Sequence, residues 1–414
     1  MGILEELCKD TVWEEFLLYK LEKKQLTARE KRQIQDFIQG KKYKVITDRI
    51  MEADYTFQPP VKKCVNKSGT KKKRTVYSYC DEESMVLKVM AYLLYRYDDK
   101  MSPKCYSFRR NTSAHAAIVK MAATKSIDDK YCLKADISNY FNSIPAKHLV
   151  EVMRTVIDDD KPLELFLERL LLANAAYENG KLIAENRGAM AGIPISPFFA
   201  NIYLKSLDNY FEKKEIPYFR YSDDILILCK SESEVEKQKQ FLETYMGEMG
   251  LKLNPDKVHM SRPGEPIEFL GIAYCQGKLD LSDVTKDKLK AKIKRKANLL
   301  YRWRMEKKVD FEKTAKVMIR IFNKKFYDDT DEHAFTWSRW FFPVLNTTDG
   351  LKEIDDYLQM YIRYIYSGRH YKGNYRVRYE KIKELGYRSL VNEYYRFRKK
   401  EENDGAVVYR SKEG

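Results

Sequence analysis

Apolar residues along this chain change their period twice. From the N-terminus to about residue 57 they recur at helical spacing, as at Leu4, Leu7, Val12, Phe16 and Leu17, which predicts helices. Thr27 and Glu30 fit a capping box at a fresh helix start. Gln58-Pro59-Pro60 breaks that pattern, and VKKCVNKSGTKKKRTVYSYC then predicts a β-hairpin whose loop holds Ser68-Gly69. A helix is expected from Glu82 to about Tyr97, a strand over Tyr131–Asp136, and an apolar helix around Leu163 to Ala176. Tyr218, Phe219 and Tyr221 read as one strand and Ile225 to Cys229 as the next, turned at Ser222-Asp223. Ser231 to Gly250 is a helix with Ser231 and Glu234 as its cap and Gly250 as its stop. Strands and turns continue through Leu251–Lys257 and Glu268–Ile272, and from Leu281 the helical period returns, first over Lys286 to Lys308. The order predicts an α+β protein of four segments, 1–57, 58–130, 131–280 and 281–414.

Charge adds a partner to this outline. The 414 residues carry a formal +16 and a pI near 9.2, so the surface attracts polyanions, most simply nucleic acid. The predicted hairpin loop is dense in cations, with Lys67, Lys71, Lys72, Lys73 and Arg74. About half of these lysines read as a solvated face; Arg74 enters a strand, where its planar fork suits phosphate. The helix at Lys286–Lys308 interleaves Tyr301 and Trp303 with cations, and YIRYIYSGRHYKGNYRVRYEK repeats the mixture, which suits stacking on bases and tracking a phosphate backbone. No apolar run approaches membrane-spanning length and the first residues lack the pattern of a secretory leader, so an intracellular, soluble protein without a membrane partner is expected. Seven scattered cysteines, never in a C-x-x-C pair, read as reduced and mostly buried thiols.

Candidate chemistry concentrates at Asp223-Asp224. Two adjacent carboxylates at the tip of an apolar hairpin repel one another and are poorly solvated, an arrangement that a divalent cation relieves. Solvated Asp-Asp turns are the plain alternative, and the chain offers them at Asp98-Asp99, Asp128-Asp129 and Asp328-Asp329, but none of those precedes an ILIL run. Asp136, at the junction of a strand and a helix, could serve only as an N-cap; it is also the third acid that such a pair needs to hold metal. The loop GAMAGIPISPFF has glycines that let backbone approach a ligand and Ser196-Pro197 as a helix start. His115 reads as a core residue.

In sequence order, the basic hairpin, YSFRRNTSAH, LKADISNYF, GIPISPFFANIYL, FRYSDDILIL, LNPDK and EFLGI resemble the successive blocks of the reverse transcriptases over roughly residues 60 to 275. The resemblance implies a right-hand polymerase fold of fingers, palm and thumb, with the basic C-terminal helices as thumb. It implies RNA-directed DNA synthesis from deoxynucleoside triphosphates, with RNA template and DNA product as partners. Two Mg2+ ions would be held by Asp136, Asp223 and Asp224 with the Ile137 backbone. Lys72 and Arg74 would meet the triphosphate, Phe141 would exclude a ribose 2′-hydroxyl, and Gly192 and Lys257 would line the nucleotide site; a surface lysine is nearly as good a reading of Lys257. Lys292, Arg295, Lys296, Arg302, Trp303, Tyr371 and Tyr375 would bind nucleic acid.

One departure is Ala191, which stands where many relatives carry the glutamine of a Pro-Gln-Gly element. This argues against an ordinary mobile-intron enzyme. No ribonuclease H domain, HNH endonuclease or good Val-Thr-Gly element of the retron type is found. The GIPISP form and the ending LGYRSLVNEYYRF are most similar to the bacterial "unknown group" reverse transcriptases of phage defence, which implies a cytoplasmic enzyme working with a structured non-coding RNA. The competing readings are an enzyme of a group II intron or diversity-generating element, and an RNA-binding scaffold whose catalysis is not needed.

Overall fold

The computed structural model describes residues 1–22, 26–66, 73–186, 188–327 and 336–403, which divide into two units after Glu265. The first unit opens with helices Ile3–Leu7, Asp10–Glu22, Ala28–Gln39 and Lys44–Met51. The Thr27 hydroxyl accepts from the Glu30 N–H while the Glu30 carboxylate accepts from the Thr27 N–H, so the capping box closes. Trp13, with no exposed surface, stacks on Tyr43 at 4.3 Å between ring centroids. The Ile3 N–H donates to Asp160, the residue that caps helix Lys161–Leu171, and so ties the N-terminal segment to the rest of the unit.

Eight strands of the first unit form two sheets: β1 (Val61–Asn66), β2 (Lys73–Ser78), β3 (Tyr131–Asp136), β4 (Ala175–Glu178), β5 (Lys181–Ala184), β6 (Tyr218–Tyr221), β7 (Asp224–Cys229) and β8 (His259–Ser261). One sheet has the order β2-β1-β4-β5, and its β1–β2 hairpin is the basic one expected; Lys67, Lys71, Lys72 and the Ser68-Gly69 turn lie outside the described residues. The β4–β5 hairpin corrects the sequence reading, which ran a helix on to Ala176. That helix stops at Leu171, Asn174 turns left-handed (φ 42°) just beyond it, and Asn179-Gly180 (φ 52° and 79°) forms the tight turn that closes two short strands.

The other sheet, β6-β7-β3-β8, carries the candidate chemistry. Residues Ile225 to Cys229 of β7 are all buried, so the run is apolar without alternation, and helix Glu232–Glu248 packs across β3 and β7. The second unit begins with an antiparallel meander, β9 (Ile267–Phe269), β10 (Ile272–Cys275) and β11 (Lys278–Leu281), so Glu268–Ile272 belongs with the helices that follow it. The longest of these, Asp283–Lys307, is capped by Ser282, ends at left-handed Lys308, and buries the stripe Leu289, Ile293, Ala297 and Leu300. All seven cysteines are free, but only Cys105, Cys132 and Cys229 are buried; Cys64 and Cys80 are exposed, contrary to the reading of mostly buried thiols. No described helix is long and apolar enough to cross a membrane.

Candidate active site

Strand register brings the acids together. β3 and β7 run antiparallel with Asp136 directly opposite Asp224, and Tyr221 of β6 faces Asp224 on its other side, which leaves Ser222-Asp223 as the turn. The Ile137 N–H donates to the Asp223 carbonyl at 3.1 Å, so the residue after Asp136 is bonded to the turn itself. Next to it, Ser138 N–H donates to the Lys252 carbonyl and Asn254 N–H to the Asp136 carbonyl, a bridge that leaves the Ile137 carbonyl out.

The carboxylates bear the electrostatic cost that the sequence predicts. Burial, reinforced by the charge of Asp136, pushes the Asp223 carboxyl above its usual range. Burial also pushes Asp224 up to about 7, with Asp223 and Asp136 adding to the rise against the opposing charge of Lys134. Oδ1 of Asp224 is buried without a hydrogen-bond partner. The third acid is already answered, since Lys257 Nζ lies 2.6 Å from Asp136 Oδ2 in an ion pair whose lysine is about half exposed. Among the described residues no three His, Cys, Asp or Glu side chains are gathered closely enough to hold an ion as they stand. The donor set of three carboxylates with one orphaned oxygen nonetheless fits a hard, oxygen-seeking cation such as Mg2+.

A buried polar network that the sequence reading missed fixes the turn. Arg220 has no exposed surface and sets its Nε 2.7 Å from Asp208 Oδ1 and an Nη 2.5 Å from Oδ2. Its other Nη donates to the Ser222 carbonyl, while the Ser222 N–H donates to Ser107 Oγ at 2.9 Å. Ser107 and Asn201 bond each other in both directions, and Tyr218 donates to Asp208. Burial works against the charge on Arg220, but the Asp208 carboxylate outweighs it and holds the guanidinium charged. The available signal was an arginine inside the otherwise aromatic and apolar strand YFRY, a place where an unpaired cation is not tolerated. Ser222 itself takes a left-handed φ of 59°, the sharp bend that turns β6 into β7.

The remaining expected residues are divided between the two units. Phe141 is half-buried, with Phe108 edge-on to it at 6.3 Å and Phe108 in turn 6.0 Å from Tyr221 beside the Asp-Asp turn. Gly192 is held by packing: at φ 105° a Cβ there would meet the Tyr77 carbonyl at 2.7 Å. The same loop bonds to β2 through the Tyr77 N–H and the Ala191 carbonyl, and Asn142 joins both, accepting from Ala191 N–H and donating to Thr75 O. Arg74 sits exposed on β2 opposite Val65, whereas Lys72 is outside the described residues. In the second unit Arg295 and Arg302 are exposed and Lys292, Lys296 and Trp303 half-buried. Tyr371 and Tyr375 are 52% and 69% exposed, the latter beneath the Arg363 guanidinium at 5.3 Å.

A family model described as "Reverse transcriptase (RNA-dependent DNA polymerase)" matches residues 65–274, just over half of the chain. The chain belongs to the reverse transcriptases. This one is similar to the Retron Ec86 reverse transcriptase of Escherichia coli, 26% identical over 55% of this chain and 67% of that protein. It is similar also to Protein YkfC of E. coli strain K12, 24% identical over 40% of this chain and 53% of its relative. The "Uncharacterized 91 kDa protein in cob intron" of Schizosaccharomyces pombe matches at 28% over 44% of this chain and 23% of the relative, so the reverse transcriptase spans from about a quarter to two thirds of these proteins. Among solved structures, apo telomerase from Candida tropicalis aligns at 11% identity and TM-score 0.45 over 55% of both chains. Membership in this family carries the right-hand polymerase fold, and the expected carboxylate hairpin is the tip of β6–β7.

Proposed function

We propose that this reverse transcriptase builds DNA from deoxynucleoside triphosphates on a structured non-coding RNA, in antiphage defence in the bacterial cytoplasm. The observation that carries the polymerase reading is the direct cross-strand pairing of Asp136 with Asp224, with Asp223 at the adjoining turn. In this reading residues 58–130 are fingers, 131–280 the palm and 281–414 the thumb with the C-terminal region. Asp136, Asp223 and Asp224 hold two Mg2+ ions, which when bound neutralise the phosphates and acidify the primer hydroxyl. Lys257 balances the charge of Asp136, and its half-exposed side chain would be free to meet the triphosphate were a cation to take its place at that carboxylate. Arg74 and Lys72 grip the triphosphate, Phe141 closes the space under the sugar, and Asn142 keeps β2 in register with the segment that follows Asp136. Lys292, Arg295, Lys296, Arg302, Trp303, Tyr371 and Tyr375 hold nucleic acid in the second unit. The defence role rests on the resemblance of GIPISP and LGYRSLVNEYYRF to the unknown-group enzymes.

The test is primer extension on an RNA template with Mg2+, beside sequencing of the RNA and DNA that co-purify with the protein. Asp223→Ala with Asp224→Ala should abolish synthesis by raising the barrier on the order of several kcal/mol. The fold should survive, because the change removes repulsion and little packing. Near-normal extension by the double variant sinks the assignment, and co-purifying intron sequence would favour the intron-enzyme reading instead.

A further inference from the structure

The end of the β6-β7-β3-β8 sheet opposite the carboxylates opens into a hollow of about 780 Å³. β3 and β7 each run six residues, so at about 3.3 Å per residue this end lies roughly 17–20 Å from the catalytic turn. Five lysines from four segments of the chain line it: Lys125 and Lys130 before β3, Lys214 before β6, Lys230 after β7, and Lys237 on helix Glu232–Glu248. The acids in the same wall are Glu215 and Glu234, the latter with its carboxylate accepting from the Lys230 backbone N–H. Ion pairs on this helix run elsewhere, Lys239 to Glu236 and Arg262 to Glu232, and none among the described residues takes any of the five lysines.

A lysine-rich surface alone is ordinary solvation, but two features separate this one from it. The charges line a concavity in which five cations face two carboxylates, so an excess of like charge gathers there. Gln238, 4% exposed, also lines the hollow, with its Oε1 buried and without a hydrogen-bond partner. A buried amide oxygen left unpaired is destabilising, and an incoming polar group removes that penalty. Rotation of the amide offers either its oxygen or its NH2 to that group. Tyr210, stacked on Phe241 at 4.2 Å, supplies an aromatic wall.

We propose that this hollow is a second nucleic-acid site, which holds a single-stranded segment by its phosphates while the Gln238 amide receives a polar edge of one base. The lysines favour a strand over a small anion: they are point charges spread over four separate segments of the chain, suited to successive phosphates, and the lining contains no arginine fork to grip a single phosphate group. The site does not depend on the catalytic reading, since none of its residues belongs to the carboxylate centre.

The experiment uses the full chain saturated with a short RNA–DNA primer–template, and measures binding of a labelled, non-complementary 12-nucleotide RNA by fluorescence anisotropy across salt concentrations. Lys214→Ala, Lys230→Ala and Lys237→Ala together should weaken this binding at least tenfold at moderate salt. The dependence of log affinity on log salt should become shallower by about two, as expected for three lost phosphate contacts on a single strand. Gln238→Leu should weaken binding severalfold and leave that slope unchanged. Primer extension on the short hybrid should match the parent in both variants, which shows that the fold is retained; if the triple variant melts early, the exposed lysines 214 and 237 changed singly carry the test. Affinity and slope within twofold of the parent would overturn the proposal. Displacement of the RNA by tripolyphosphate at equal phosphate concentration would overturn the strand and leave a small-anion site.

Discussion

Replacing Asp208 with Ala removes the carboxylate from a guanidinium that has no exposed surface. Arg220 would keep only the Ser222 and Asn201 carbonyls, both at 3.3 Å, as partners for a full buried charge. Breaking a buried pair from one side costs about 3–5 kcal/mol, and at roughly 2–4 °C per kcal/mol for a unit of this size melting should fall by on the order of 10 °C. Asp208→Leu with Arg220→Met removes both charges and fills the space with apolar atoms, so it should regain most of that stability. It should not regain activity. The Ser222 carbonyl has lost its donor, and an ångström of drift in the Asp223-Asp224 turn is worth about a hundredfold in rate. The assay pairs thermal melting with single-turnover primer extension, and the expected result is a stable double variant roughly a hundredfold slow. A melting temperature for Asp208→Ala within 2 °C of the parent would refute the electrostatic argument, and a double variant both stable and fully active would reduce the network to packing.

Three further outcomes follow from the site. Phe141→Ala should admit ribonucleotides, read as a fall of tenfold or more in the ratio of kcat/KM for a deoxynucleotide over its ribonucleotide; an unchanged ratio places the sugar gate elsewhere. Asp223 and Asp224 have folded-state pKa values above the unfolded ones, so without metal the stability tied to them is present below about pH 4 and declines as pH rises, that of Asp224 being lost through about pH 7. The melting difference between the parent and Asp223→Asn/Asp224→Asn should therefore move against the parent from pH 5.5 to 8 and recover with Mg2+, and a pH-independent difference would contradict this. Tyr371→Ala with Tyr375→Ala should reduce the preference for a co-purifying RNA over unrelated RNA more than it reduces total binding; equal competition in the parent would leave a general duplex grip.

The acids, their hairpin and the helices around them were legible because each rests on a local signal. An apolar run after Asp223-Asp224 predicted β7, and Thr27 with Glu30 predicted a helix start that forms atom for atom. What stayed hidden depends on contacts distant in sequence. Nothing near Ser107 announces that its hydroxyl will accept from Ser222, 115 residues later. The β4–β5 hairpin was missed for a different reason: its strands are four residues each, and the apolar period of the preceding helix ran on into Ala175 and Ala176. Gly192 was expected to serve the nucleotide, yet its backbone conformation and its approach to Tyr77 already require glycine there.

The uneven placement of the thiols gives the basic hairpin a chemical handle. Burial pushes Cys132 and Cys229 up to about 12 and raises Cys105 as well, so these three resist alkylation at neutral pH. Cys64, on β1 opposite Thr75, stands in solvent; Cys80, just past the end of β2, is exposed as well, but partial burial raises its thiol too, so Cys64 is the more open of the pair. A maleimide dye applied briefly to the native protein should thus mark the basic hairpin ahead of the sheet that carries the carboxylates, and without any engineered cysteine the emission of that dye can follow the hairpin as a triphosphate arrives.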